Sequence, residues 1–278
     1  MESGCTMRHK KSYLLLAALA VGLWIVLFCA AGQADGALWP ERGDTVKKDG
    51  KVKVDVSNIE EGYFMAAVQK ANKHKLKLQV VHGDEKLTYD LNNDGDYEVF
   101  PLQLGEGKYT IALYENVSGK KYSQEGKISI SVKLKSENRP FLYPNQYVNY
   151  KKTTEAVLKA AELCEGKSQK EAFDIICNFM KTSFVYDYVK AVTIKAGMLP
   201  DIDGAYSKKM GVCQDLSAIM VCMLRTQGIP CKLMIGYADK QYHAWTTSII
   251  DGEEIFFDPT AALNAISKVR DYSLERYY

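Results

Sequence analysis

The sequence predicts an α+β protein with an apolar amino-terminal helix, an all-β sandwich and a closing domain of helices and strands. Three observations predict this. An uncharged run covers Tyr13–Gly32. From Lys51 to about Lys135, apolar residues alternate with period two. From Thr153 they recur with a helical period, and strand-like runs return after Gly228. The boundaries that follow are 1–34 for a signal peptide or signal anchor and 35–50 for a spacer. Residues 51–138 are the sandwich, 139–150 a linker and 151–278 the α+β domain.

Composition narrows the function classes. The chain has 278 residues, 47% apolar and 25% charged, so it is not disordered throughout. Lys and Arg number 36 against 34 Asp and Glu, which is too balanced for a nucleic-acid binder that works by charge. The first 34 residues hold three Lys/Arg and one Asp/Glu, so they carry the whole net charge of +2. Seven cysteines are too sparse for a disulfide-stapled scaffold.

Arg8, Lys10 and Lys11 precede the uncharged run, which is the order of a targeting segment. Leu14–Gly32 would span about 28 Å as a helix, close to a bilayer core. Basic residues on the amino side hold that end in the cytoplasm, so the remainder is expected to be exported, and membrane contact is expected through this segment alone. Phe28 stands before Cys29 where a lipidation motif has a small residue, which argues against lipidation.

In the second part, Lys51–Val56, Lys75–Val80 and Lys127–Leu134 alternate as half-buried strands. Turn clusters at His82–Asp84, Asn92–Gly95, Gly105–Gly107 and Ser118–Lys120 separate strands. Glu60–Asn72 reads as a short helix or an irregular crossing. Asp90-x-Asn92-x-Asp94-Gly95 opens like a calcium loop, but Pro101 stands where the bidentate Glu belongs, so a hairpin turn is expected.

Beyond Pro140 and Pro144 the helices begin. Thr153–Glu165 carries Ala156, Leu158, Ala160, Leu163 and Cys164 on one broad face. Ser168 and Glu171 form a capping box for a helix with Ala172, Ile175, Ile176, Phe179 and Met180 inward. A loop with Gly197, Pro200 and Gly204 follows, and its acids Asp187, Asp201 and Asp203 read as solvated.

The chemistry concentrates in 211–260. Gly211-Val212-Cys213-Gln214-Asp215 leads into a helix with Leu216, Ile219, Met220, Met223 and Leu224 inward, ended by Gly228-Ile229-Pro230. A thiol on the first turn of a helix meets a favourable dipole for its anion and free N–H groups for an oxyanion. His243–Ile250 and Glu253–Asp258 flank Asp251-Gly252, a two-residue hairpin turn. Ile250 then pairs with Glu253, Asp258 falls opposite Trp245, and His243 lies diagonal to Asp258 within side-chain reach. Cys213 as nucleophile, His243 as base and Asp258 as its orienting acid form the expected triad.

The order Gly-x-Cys-x-Asp, Leu-Arg-x-x-Gly-Ile-Pro, Gly-Tyr, Tyr-His-Ala-Trp and Asp-Pro-Thr resembles the bacterial transglutaminase-like domain, of papain-like fold, over about Phe173–Thr260. The resemblance implies thioester formation at Cys213 from an amide of a protein or peptide, with His243 and Asp258 assisting. Cross-linking, deamidation or peptide hydrolysis then follows. It implies neither cofactor nor metal.

Plainer readings stand beside this. A helical cysteine is commonly a small buried residue, a His beside Trp an interior group, and an Asp before Pro a turn cap. A zinc site from Cys213, Cys222, Cys231 and His243 lacks the close Cys pairing of structural sites. Cys222 and Cys231 could bridge, while Cys164 and Cys177 read as buried thiols. Tyr186 is a weak candidate for an oxyanion donor. The competing function is a non-catalytic surface binding protein built on the same scaffold. The sandwich could also bind cell-wall polymer or a surface protein.

Overall fold

Strand alternation and its exceptions both have visible causes in the computed structural model, which describes residues 36–195, 197–264 and 270–278. The targeting segment 1–34 lies outside the described residues. No described helix is long and apolar enough to cross a membrane.

Eight strands come first: β1 (Val46–Asp49), β2 (Val52–Asp55), β3 (Tyr63–Val68), β4 (Leu76–His82), β5 (Glu85–Leu91), β6 (Glu98–Pro101), β7 (Gly107–Ser118) and β8 (Lys121–Val132). They form two antiparallel sheets, ordered β1-β2-β3-β6 and β5-β4-β7-β8. Alternate residues such as Leu76, Leu78 and Val80 bury into a core shared by both sheets, where Tyr89 of β5 meets Phe100 of β6 at 5.1 Å.

Two expectations change here. Glu60–Asn72 contains a strand, β3, after a single helical turn at Ile59–Glu61. Its inner face joins the main core, while Tyr63 and Met65 pack under Leu142 and Tyr143. With apolar cover on both faces, the period-two signal disappears. Asn92–Tyr97 is not a hairpin turn, because β5 and β6 belong to different sheets. Asp94 Oδ1 accepts from the Asp96 N–H at 2.8 Å, and Gly95 takes a φ of 95° to make the crossing.

The remainder is mixed α+β: α1 (Glu155–Cys164), α2 (Gln169–Ser183), β9 (Val185–Tyr186), α3 (Tyr188–Thr193), α4 (Ile202–Lys208), β10 (Met210–Gly211), α5 (Cys213–Arg225), β11 (Cys231–Ala238), β12 (Gln241–Ile250), β13 (Glu253–Phe257), α6 (Pro259–Leu263) and β14 (Tyr272–Tyr277). The Ser168–Glu171 capping box starts α2. In α1 the buried stripe is Ala156, Val157, Ala160 and Cys164, and Leu158 faces outward, half exposed. Asp187 and Asp201 are not simply solvated. Each accepts a backbone N–H, from Lys190 at 2.8 Å and Gly204 at 2.9 Å, and starts α3 and α4.

Strands order as β13-β12-β11-β14 in one antiparallel sheet. Helix α5 lies between this sheet and α1, α2 and α4, and every residue from Asp215 to Arg225 is buried. The described residues belong to one compact unit. Buried Arg225 helps to close it by donating to the carbonyls of Cys231, Tyr143 and Tyr278.

Candidate active site

The site begins with how α5 docks. Cys213, Ser217 and Met220 recur at i, i+4 and i+7, so they share one face of the helix. Ser217 Oγ donates to the Ala244 carbonyl at 3.1 Å, and Thr246 Oγ1 lies 3.7 Å from Met220 Sδ. These contacts seat the Cys213 face on β12, with Ser217 bonded to the neighbour of His243. Val212, at the N-cap, offers no side-chain acceptor to the first turn. Asp215 reaches back instead: Oδ2 accepts the Val212 N–H at 3.0 Å and the Lys190 ammonium at 2.7 Å, while Oδ1 accepts the Asp201 N–H at 3.0 Å. One buried carboxylate thus ties the thiol's helix to α3 and to the start of α4.

The hairpin supplies the other two groups. Asp251 and Gly252 both take positive φ, 53° and 82°, and Ile250 pairs with Glu253. The ladder runs in that register to Thr246–Phe257, the residues just before Trp245 and Asp258. His243 Nε2 and Asp258 Oδ2 are 2.8 Å apart, and both residues are buried. Asp258 is also the N-cap of α6, where Oδ1 accepts from the Ala261 N–H at 3.0 Å. It therefore caps a turn and faces the imidazole at once.

Cys213, half-buried at the start of α5, lies near enough to His243 to act on its protonation. Burial alone pushes His243 towards its neutral form. The hydrogen bond to Asp258, with the nearby Asp258 charge and Cys213, outweighs this and raises its pKa to about 9. Burial likewise disfavours the charged form of Asp258, but its bond to His243 and the backbone N–H hold its carboxyl below the ordinary value. Electrostatics therefore favour an imidazolium beside an ionised Asp258 carboxylate.

Other predicted residues fall as follows. Tyr186 sits on β9, and burial, then the nearby Cys213, pushes its phenol up to about 12. The described cysteines 164, 177, 213, 222 and 231 are free thiols, so Cys222 and Cys231 do not bridge. Cys231 Sγ instead receives the Ser248 hydroxyl at 3.2 Å. Among the described residues, no group of three or more His, Cys, Asp or Glu is placed to hold a metal ion. Sequence reasoning missed Tyr272, whose O–H donates to Asp258 Oδ2 at 2.7 Å. The alternating, aromatic-rich Tyr272–Tyr277 was the available signal for its strand, though not for its target.

A thiol at a helix start and an imidazole bonded to a carboxylate are the elements that a cysteine–histidine–aspartate site requires. Residues 159–259 match the family model of the transglutaminase-like superfamily, so a transglutaminase-like domain lies there. The matched stretch includes Cys213, His243 and Asp258. No curated protein matches the chain. Among solved structures, it is similar to a candidate cysteine protease from Cytophaga hutchinsonii, with 16% identity, 78% of this chain and 91% of that one covered, and a TM-score of 0.40. The periplasmic domain of TgpA from Pseudomonas aeruginosa, bound to ethylmercury, gives 14% identity, 81% and 78% coverage, and a TM-score of 0.36. A candidate protease from Parabacteroides distasonis gives 14% identity, 66% and 37% coverage, and a TM-score of 0.33.

Proposed function

We propose that this chain is an exported thiol enzyme that performs acyl transfer or hydrolysis on amides of proteins or peptides. The observation that carries the reading is His243, held to Asp258 at 2.8 Å, with Cys213 near enough to act on its protonation. The Cys213 thiolate attacks the amide carbon, and the carbonyl oxygen takes the negative charge beside the first-turn N–H groups of α5. His243 gives its proton to the departing nitrogen as the C–N bond breaks, which leaves a thioester and free ammonia or amine. Water or a second amine then attacks the thioester, His243 accepts its proton, and the thiolate leaves. Asp258 keeps the imidazole oriented throughout and remains ionised.

Export rests on the basic start and the uncharged run of the first 34 residues. In this reading 51–138 is a β-sandwich domain that contacts cell-wall polymer or a surface protein, and 151–278 is the papain-like catalytic domain.

The test is a peptide library incubated with the protein and a primary amine, read by mass spectrometry. Amine incorporation, a one-dalton deamidation or cleavage, each lost in Cys213→Ala, is the expected result. A library left unchanged by a protein whose Cys213 alkylates no faster than its buried thiols sinks the proposal and favours a binding scaffold.

A further inference from the structure

Tyr272 lies beyond the matched stretch and comes from β14, two strands away from His243 across the sheet. Its hydroxyl reaches the same Asp258 oxygen that faces the imidazole. The sheet explains the reach. His243 pairs with Gly236, and Tyr272 pairs with Ala238, on the central strand β11. Paired residues, and residues two apart on one strand, share a face, so all four stand on the same side. The two on β11 have almost no side chain, and nothing from that strand separates the phenol from the carboxylate. Gly236 also fixes the strand itself: a Cβ there would overlap the Ser273 carbonyl oxygen, at the register shift between β11 and β14. The ring is held by Trp245 at 5.1 Å and Phe256 at 4.8 Å, and lies 6.3 Å from the His243 ring.

We propose that Tyr272 is a positioning residue for the reaction, whose hydroxyl holds the Asp258 carboxylate behind His243 and shares its negative charge, setting both the orientation and the basicity of the imidazole. The inference rests on the catalytic reading of Cys213, His243 and Asp258. The groups that face this cluster are Cys213 from α5, His243 from β12, the Ala261 N–H from α6, and Tyr272 from β14 with Arg270 and Asp239 around it. Burial, then the hydrogen bond to Asp258 and its charge, keeps the phenol protonated well above its ordinary pKa, so it remains a donor. Removing the hydroxyl leaves more charge on the carboxylate and leaves it freer to turn. The imidazolium is then held more tightly, while the imidazole is aimed less well.

The experiment is the pH profile of Cys213 carboxymethylation by iodoacetate in wild type and Tyr272→Phe, with peptide mapping to separate Cys213 from the other thiols. Iodoacetate is an anion, so an adjacent imidazolium speeds it, and the upper limb of the profile reports loss of the His243 proton. The expected result for Tyr272→Phe is an upper limb moved up by about half a pH unit or more and a maximal rate lowered ~10-fold. In an Asp258→Asn background the same change should leave the limb in place. A limb unmoved in Tyr272→Phe overturns the proposal, even where melting temperature or rate has fallen, because that is a packing effect alone. A separate outcome, wild-type Cys213 reacting no faster than the buried thiols, overturns the catalytic reading itself and the role of Tyr272 with it.

Discussion

Asp258 faces His243 with one carboxylate oxygen and its own helix with the other. Oδ2 stands 2.8 Å from His243 Nε2, while Oδ1 accepts the Ala261 N–H at 3.0 Å. The cap on α6 therefore fixes the direction from which the carboxylate meets the imidazole. A turn-capping Asp and a catalytic Asp are usually separate readings of an Asp-Pro pair. Here the cap supplies the geometry that the proposed catalytic role requires.

This double duty separates two substitutions. Asp258→Asn keeps an oxygen for the Ala261 N–H, so at about pH 10, where the His243 charge no longer contributes, it should unfold within about 1 kcal/mol of wild type. Asp258→Ala loses the cap, worth about 1 kcal/mol, and leaves a buried His243 nitrogen unpartnered, at about 1–3 kcal/mol more. Urea unfolding of the three proteins checks this. Equal stability losses in the two variants would show that the cap contributes nothing.

Cys213→Ala should abolish turnover with little change in melting temperature, because the thiol is half-buried at a helix start and leaves no enclosed cavity. It should also act on its neighbour. Cys213 is among the groups that raise the His243 pKa, so the variant's imidazole should titrate lower than wild type. An NMR titration of the His243 ring reads this directly. An unmoved titration would mean that thiol and imidazole do not interact in solution.

Stability should depend on pH through the same pair. The folded-state pKa of His243 is raised from 6.5 to about 9, so folding tightens its hold on the proton. That contribution is complete below about pH 6.5 and is lost as pH rises through about 9. Asp258 runs the other way: its pKa is lowered from 3.8, so its contribution is present above that value and lost as pH falls through the folded one. The stability gap between wild type and His243→Gln should therefore narrow from about pH 6 to about pH 10, by on the order of 3 kcal/mol at most. Urea unfolding at both ends of that range tests the sign. A gap that widens contradicts it.

Much of this site was legible because its signals are local. Asp251-Gly252 needs two positive φ values and sets a two-residue loop, and that alone fixes the register bringing His243 near Asp258. Ser168–Glu171 is equally local. What the sequence hid depends on distant partners. β3 shows no alternation because residues near 140 cover its outer face, and α5 is buried all round because sheet and helices enclose it. Asp187 and Asp201 looked solvated because short helices of six and seven residues carry too little periodicity to reveal their caps. Tyr272 was invisible as a site residue because its bond to Asp258 depends on small residues on a different strand.

The flank of the site also makes a prediction about substrate. Val189 and Val192 are 75% and 85% exposed, too open to be core, and Tyr188 beside them is largely exposed as well. They project from α3, which the Lys190–Asp215 ion pair ties to the cysteine helix, while Gln214, next to Cys213, donates to the Met198 carbonyl at 3.1 Å. Tyr188 O–H lies 3.3 Å from Asn264 Oδ1, just beyond the helix that Asp258 caps. These apolar side chains thus stand on a helix tied to the one that bears the thiol, and an apolar side chain beside the reacting amide is the substrate feature expected to meet them. Each partly covered valine is worth about 1 kcal/mol, so replacing both by Ser should raise KM for such a peptide roughly 30-fold with kcat unchanged. Carboxymethylation of Cys213 by iodoacetate should proceed at the wild-type rate, because so small a reagent needs no such contact. An unchanged KM would remove α3 from the substrate path, and a fall in the iodoacetate rate would mean that the valines support the site rather than the substrate.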